Sequence, residues 1–278
     1  MLKFLTPILL FASILFTVNN AAADAQKTVY WGQVHYPPIF IQNGPDKNQG
    51  MIDIVVNALR ERLPDYNHQT LPLSLSRLMT EMKSGTQICF AGLFKTAERE
   101  KFIAFSEQFS TGAPALLITA EAVDEQIPQY LDEKGYVDLR KLLAEGMITL
   151  DISAGRSFGE YVDGLIKLDE ATFHPSVRVN SGMNDAEKTI KLIGLGRVEA
   201  TLTHGLETYY QAVQQGVTDQ ISMYRIQGNL KRASLYVGCS KGEWAGDFMP
   251  NLNLAIAEIV RLGIPTTARN RWLPKNLW

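Results

Sequence analysis

Three short stretches and two cysteines carry the residues best suited to chemistry. The first stretch, Cys89–Phe109, passes from an apolar run ending at Phe94 into a dense charged turn with Lys95, Glu98, Arg99, Glu100 and Lys101. Arg99 is the residue of interest there. Its planar guanidinium can hold a carboxylate through two parallel hydrogen bonds. Beside Glu98 and Glu100 it reads equally as the solvated face of a short helix, worth little. Thr96 can cap that helix through its hydroxyl in either case. The second stretch is Gly155–Arg156–Ser157, at a strand-to-helix turn. Free N–H groups at such a turn attract anions, and glycine permits close approach. An ordinary N-cap serine and a solvated arginine would look the same. The third stretch ends at His204, the one obvious candidate for proton transfer in a cleft, although a single histidine also serves as a satisfied structural group. No Ser-His-Asp order, paired carboxylates, Cys/His metal spacing or Gly-rich phosphate loop accompanies it, so no cofactor is expected. Cys89 and Cys239 are either a disulfide or two buried thiols.

The elements that must position these residues alternate. Thr28–Val34 reads as a strand. Ile52, Val55, Val56, Leu59 and Leu63 then share one helical face, as do Leu75, Leu78, Met79 and Met82 before Gly85. Met79 and Met82 are expected in the core. Ile88–Phe94 is the next strand, which completes a βαβαβ unit. A second unit follows, with strands at Met147–Ser153, Ser176–Asn180 and Val198–Thr203. Helices lie between them at Ser157–Leu168 and from Asn184 to Gly194 or Gly196. Ser234–Cys239 reads as a further strand. The last helix is expected from Asn253 to Leu262, closed by Gly263 and Pro265. Two α/β lobes joined by two crossings explain this order, and ligands in such sheets bind at the carboxyl ends of the strands.

The chain has 278 residues, 46% hydrophobic and 20% charged, enough for one large domain or two lobes. A formal net charge of −2 gives no reason to expect nucleic acid as a partner. Lys3, the apolar run Phe4–Val18 and the small residues of "NNAAADAQ" describe a cleaved secretory leader over residues 1–23, with Ala23 last removed.

Four stretches, in this order, resemble the periplasmic solute-binding proteins of the polar amino-acid type, family 3. "YPPIF" followed by "GMIDIVVNAL" is similar to the family's aromatic-proline loop and first helix start. "SRLMTEMKSG" resembles the helix before the third strand. "GLFKTAEREKFIAFSEQF" resembles the threonine-x-x-arginine segment, and "SAGRSFGEYVDGLI" the glycine-containing turn of the second lobe. "ICF" and "CSKGEWAG" are similar to one sub-group. The resemblance implies a two-lobe periplasmic-binding fold of type II, in which each lobe is a mostly parallel sheet flanked by helices. Residues 24–116 and 232–278 would form lobe 1, and 117–231 lobe 2. It implies a monomeric, non-enzymatic protein of the periplasm that captures a small, amino-acid-like carboxylate between the lobes. An ABC permease in the inner membrane would receive the solute. The alternatives are a dehydratase-like cleft enzyme and a ligand-sensing partner of a membrane receptor.

Residue by residue, the resemblance places Arg99 on the ligand carboxylate and Tyr36 in the stacking position of a loop stiffened by Pro37 and Pro38. Arg156, Ser157 and, more weakly, Arg77 would line the cleft. Phe94 and Gly92 stand where the family carries small hydroxyl residues. His204 stands where amino-acid binders carry an aspartate for the α-ammonium, with Glu207 one turn further on. These departures suit an aromatic, larger or less cationic solute. Cys89 and Cys239 would lie on neighbouring strands of lobe 1, close enough for a disulfide.

Overall fold

The structure is a computed structural model describing residues 27–169, 172–181 and 185–272. The expected leader at residues 1–23 lies outside the described residues. The chain first lays down β1 (Lys27–Gln33), α1 (Met51–Glu61), β2 (Tyr66–Pro72), α2 (Leu75–Lys83), β3 (Ile88–Phe94), α3 (Ala97–Glu100) and β4 (Ile103–Gly112). It then crosses to β5 (Ala115–Ala120), α4 (Leu139–Ala144), β6 (Leu150–Ser153), α5 (Glu160–Ile166), β7 (Val177–Asn180), α6 (Asp185–Gly194), β8 (Ala200–His204), α7 (Gly205–Gln215) and β9 (Ile221–Arg225). It returns through β10 (Ala233–Ser240), α8 (Glu243–Arg261) and α9 (Ile264–Trp272).

Two five-stranded sheets result, ordered β2-β1-β3-β10-β4 and β7-β6-β8-β5-β9. In the first, β1 runs parallel to β2 and β3, whereas β10 is antiparallel to both β3 and β4. In the second, β6 runs parallel to β7 and β8, whereas β5 is antiparallel to both β8 and β9. One reversed strand in each sheet therefore sits among four that point the same way, and the sheets are mixed. β5 belongs to the second sheet from Ala115 onward, so the first crossing is Ala113–Pro114.

β3 is central and nearly all buried, which is why its sequence is one apolar run. Cys89 pairs with Cys239 across the β3–β10 ladder, with Cα atoms 4.0 Å apart, and the two are joined in a disulfide. Met79 and Met82 pack in the first core with Trp31, Leu59, Leu78 and Phe248. The second lobe's core splits into a large cluster around Leu117, Leu150 and Phe158 and a small one around Ile118, Ile190 and Ile193.

The C-terminal helices differ from the sequence expectation. α8 starts ten residues earlier than Asn253 and contains Pro250. Pro250 is exposed while Phe248 and Leu252 anchor the helix in the core, so packing offsets the lost backbone bond. Pro265 does not close the chain's helical part. It is the second residue of α9, where a missing N–H costs nothing.

Candidate ligand-binding cleft

The carboxyl ends of β1, β3, β6 and β8 face one another across a cavity of about 360 Å³. Tyr36, Phe94, Arg99, Arg156, Ser157 and His204 all line it. Arg77 does not. It lies on the outer face of α2, 64% exposed, and pairs with Glu81 one turn along at 2.6 Å. The helix turns that residue to solvent, so the expectation of a cleft role for it is corrected.

The first lobe supplies an apolar wall that includes Ile39, Phe40, Met51, Ile52, Phe90 and Phe94. The loop carrying Tyr36 is tied to the start of α1. The Asp53 carboxylate accepts hydrogen bonds from the backbone N–H of Gly50 (3.1 Å) and of Ile41 (2.8 Å). Gly50 is required there, because a Cβ would stand 2.5 Å from the Ile39 carbonyl oxygen. Burial raises the Asp53 pKa against the pull of those bonds.

Arg99 follows from its local sequence. Thr96 caps α3, its Oγ1 accepting from the Arg99 N–H at 3.3 Å, so the charged turn folds back against the strand end. The guanidinium is buried. Nη1 donates to the Phe94 carbonyl (2.9 Å) and Nη2 to the Gly155 carbonyl of the second lobe (3.0 Å). Burial lowers its pKa, opposed by the fields of Asp163 and Glu98. Among the described residues no carboxylate forms an ion pair with it.

The turn after β6 is not a helix start. α5 begins only at Glu160, and the N–H groups of Arg156, Phe158 and Gly159 bond to Ser153, Asp163 and Ser157 respectively. The Ser157 hydroxyl donates to Asp163 at 2.5 Å, and burial raises the Asp163 pKa. Those three N–H groups of the turn are therefore bonded internally.

Arg156 carries the largest local interaction. It forms a two-pronged pair with Glu207, Nη1 to Oε1 at 3.1 Å and Nη2 to Oε2 at 2.6 Å, with both side chains almost wholly buried. Thr203 Oγ1 donates to the same carboxylate at 2.5 Å. The guanidinium also lies over the Tyr36 ring (4.7 Å) and the Phe158 ring (5.2 Å). Sequence reasoning missed this pairing. Its one available signal was the i, i+4 spacing of Thr203 and Glu207 across the β8–α7 junction.

His204 stands edge-on to Phe94, ring centroids 5.6 Å apart. Burial, then the nearby Arg156 cation, lowers its pKa to about 4, so the imidazole is neutral at neutral pH. Its Nδ1 and the Tyr36 hydroxyl are both enclosed with no hydrogen-bond partner among the described residues.

The lobes touch through Arg99 and Gly155, Arg156 and Tyr36, His204 and Phe94, and Lys167 and Glu98 at 3.1 Å. Gly155, at φ +77°, packs on α2, where a Cβ would stand 3.1 Å from Met79 Cγ. The lobes are thus in contact across the cleft. Among the described residues no cluster of three or more His, Cys, Asp or Glu side chains could hold a metal ion, and no helix is long and apolar enough to cross a membrane.

No family model and no curated protein sequence matches the chain. Solved structures do match. A substrate-binding protein of an ABC uptake transporter from Streptococcus pneumoniae, with bound histidine, is 16% identical, with a TM-score of 0.65 over 89% of this chain and 92% of that one. A histidine kinase sensor domain with similarity to periplasmic binding proteins is 12% identical, with a TM-score of 0.67 over 89% and 96%. An ancestral amino-acid-binding protein, a precursor of cyclohexadienyl dehydratase, is 14% identical, with a TM-score of 0.64 over 90% and 96%. At such identities the likeness shows the architecture: this chain has the two-lobe fold of periplasmic substrate-binding proteins.

Proposed function

We propose that the protein is an exported, monomeric receptor that captures a small carboxylate-bearing solute between its lobes. It would present the closed form to an ABC permease in the inner membrane. Arg99 carries this reading: a buried guanidinium at the cavity wall, without a carboxylate partner among the described residues. Two of its N–H groups go to carbonyls, and arginine has five such donors. The solute's acid would dock there in the open form. Closure through Gly155, Arg156 and His204 would then exclude water, which strengthens a charge-assisted pair. The ABC-transport substrate-binding proteins among the structural matches support delivery to a permease as the next step.

A cleft enzyme would need His204 as its acid or base. A value near 4 leaves that imidazole a weak base at neutral pH, which favours binding over catalysis. Calorimetric titration of the mature protein with small acids tests the proposal. Replacing Arg99 by Ala is expected to weaken binding of the acid by roughly a hundredfold, the worth of one or two charge-assisted hydrogen bonds. Unchanged affinity in Arg99→Ala would remove the carboxylate role. Turnover of the solute, abolished by His204→Ala, would replace the receptor with an enzyme.

A further inference from the structure

The solute-binding reading, on which this inference rests, places a carboxylate at Arg99, and the rest of the cavity constrains the remainder of the solute. Glu207 is the one acidic side chain among the residues lining the cavity. Both of its oxygens are taken, Oε1 by Arg156 and Oε2 by Arg156 and Thr203. An ammonium would have to displace a two-pronged guanidinium from it, which leaves Arg156 buried and unpaired. Arg99 and Arg156 add a positive field to the cavity from its two sides, and the neutral His204 beside Arg156 supplies no negative charge.

Two polar atoms of cavity-lining residues, the Tyr36 hydroxyl and His204 Nδ1, have no partner among the described residues; both are covered where the lobes meet, so a solute reaches them only before the lobes come together. An enclosed polar atom left unpaired is costly, so a group arriving from outside that bonds to it adds affinity. A phenol donates well to an oxygen, and a neutral imidazole donates or accepts according to its tautomer. The opposing wall of Ile39, Phe40, Met51, Ile52 and Phe90 offers only apolar contact.

We propose that the cleft selects an organic acid with an apolar body and an uncharged oxygen function, hydroxyl or carbonyl, and no ammonium. The cavity is of a size for one small molecule.

Isothermal titration with two matched series tests this. One series is 3-phenylpropionate, 3-phenyllactate, phenylpyruvate and phenylalanine. The other is 4-methylpentanoate, its 2-hydroxy and 2-oxo derivatives, and leucine. In at least one series the hydroxy or oxo acid is expected to bind tenfold or more tightly than the amino acid. Tyr36→Phe should weaken the hydroxy acid about three- to tenfold and leave the unsubstituted acid unchanged, as loss of one hydrogen bond requires. Equal weakening of both acids overturns the role of the Tyr36 hydroxyl. If phenylalanine and leucine bind as tightly as their hydroxy and oxo counterparts, the selectivity is overturned while the receptor stands. If neither series binds but a different carboxylate does, this inference alone fails. If no carboxylate of any kind binds, the solute-binding reading fails with it.

Discussion

The two lobes meet the cavity with different chemistry. Lobe 1 presents mainly an extension of its own core, since Phe40, Ile52, Phe90 and Phe94 belong both to the buried cluster and to the cleft wall, and adds the arginines Arg99, Arg232 and Arg269. Lobe 2 presents charge that is paired within the lobe. Arg156, Glu207, Thr203 and the Ser157–Asp163 pair all bond within lobe 2, so this network survives when the cleft opens. Opening breaks the Arg99–Gly155 hydrogen bond, the Lys167–Glu98 pair and the ring contacts of Arg156 with Tyr36 and of His204 with Phe94. A rigid apolar wall and a self-satisfied polar wall can therefore part and meet without leaving a buried charge stranded on either side.

Removing the disulfide is expected to break that contrast most. The bridge joins residues 150 apart, and in the chain-entropy account a loop of that length is worth about 5 kcal/mol. Cys89→Ala/Cys239→Ala should lower urea-unfolding stability by up to that amount, in lobe 1. A loss below about 1 kcal/mol would mean that the lobe 1 core holds the β3–β10 pairing unaided. Next comes Glu207→Gln, which leaves Arg156 buried beside a neutral amide. It should cost about 3–5 kcal/mol in lobe 2, and adding Arg156→Met should restore most of it. If the double variant is no better than the single one, the pair is not the unit that lobe 2 depends on.

Acid sharpens the comparison from the lobe 2 side. The His204 pKa falls from 6.5 to about 4 on folding, so at intermediate pH the unfolded chain binds a proton that the folded one does not. Its stabilisation is complete above about pH 6.5 and is lost as the pH falls toward 4, roughly 3 kcal/mol in all. Asp53 and Asp163, raised by burial, act in the opposite sense. They are common to wild type and His204→Gln, so the difference between the two proteins across pH 7 to 4 isolates the histidine. Parallel pH profiles would show that His204 protonates without penalty. The smallest effect is expected at the lobe 1 rim. Thr96→Ala removes the α3 cap and should cost about 1 kcal/mol by thermal unfolding. No change would mean that the Arg99 bonds to Phe94 and Gly155 hold the turn without its cap.

Much of the fold was legible because apolar spacing reports burial. β1, β3, β10 and the buried faces of α1 and α2 all carried it. β2, with sequence YNHQTLP, did not, since an edge strand with mostly exposed side chains has little apolar pattern to show. α8 and α9 were obscured by Pro250 and Pro265, which local rules treat as stops and which the core and the helix start accommodate. At the site, Arg99 emerged from the order of neighbouring motifs rather than from its charge pattern. The Arg156–Glu207 pair could not emerge, because its members are 51 positions apart with two strands between them. Arg77 misled because helix phase, not sequence neighbourhood, decides which side of α2 meets the cleft.

The disulfide has a consequence for the order of assembly. The whole second sheet, β5 to β9, lies inside the covalent ring that Cys89 and Cys239 close. As the chain emerges from its N-terminus, Cys89 must wait for lobe 2 to be made before its partner exists. Lobe 1 is thus the first begun and the last finished. A protease nick anywhere in lobe 2 would leave a single oxidised molecule that separates into two fragments only on reduction and unfolding. The bond therefore acts as a record that β10 has found its place beside β3.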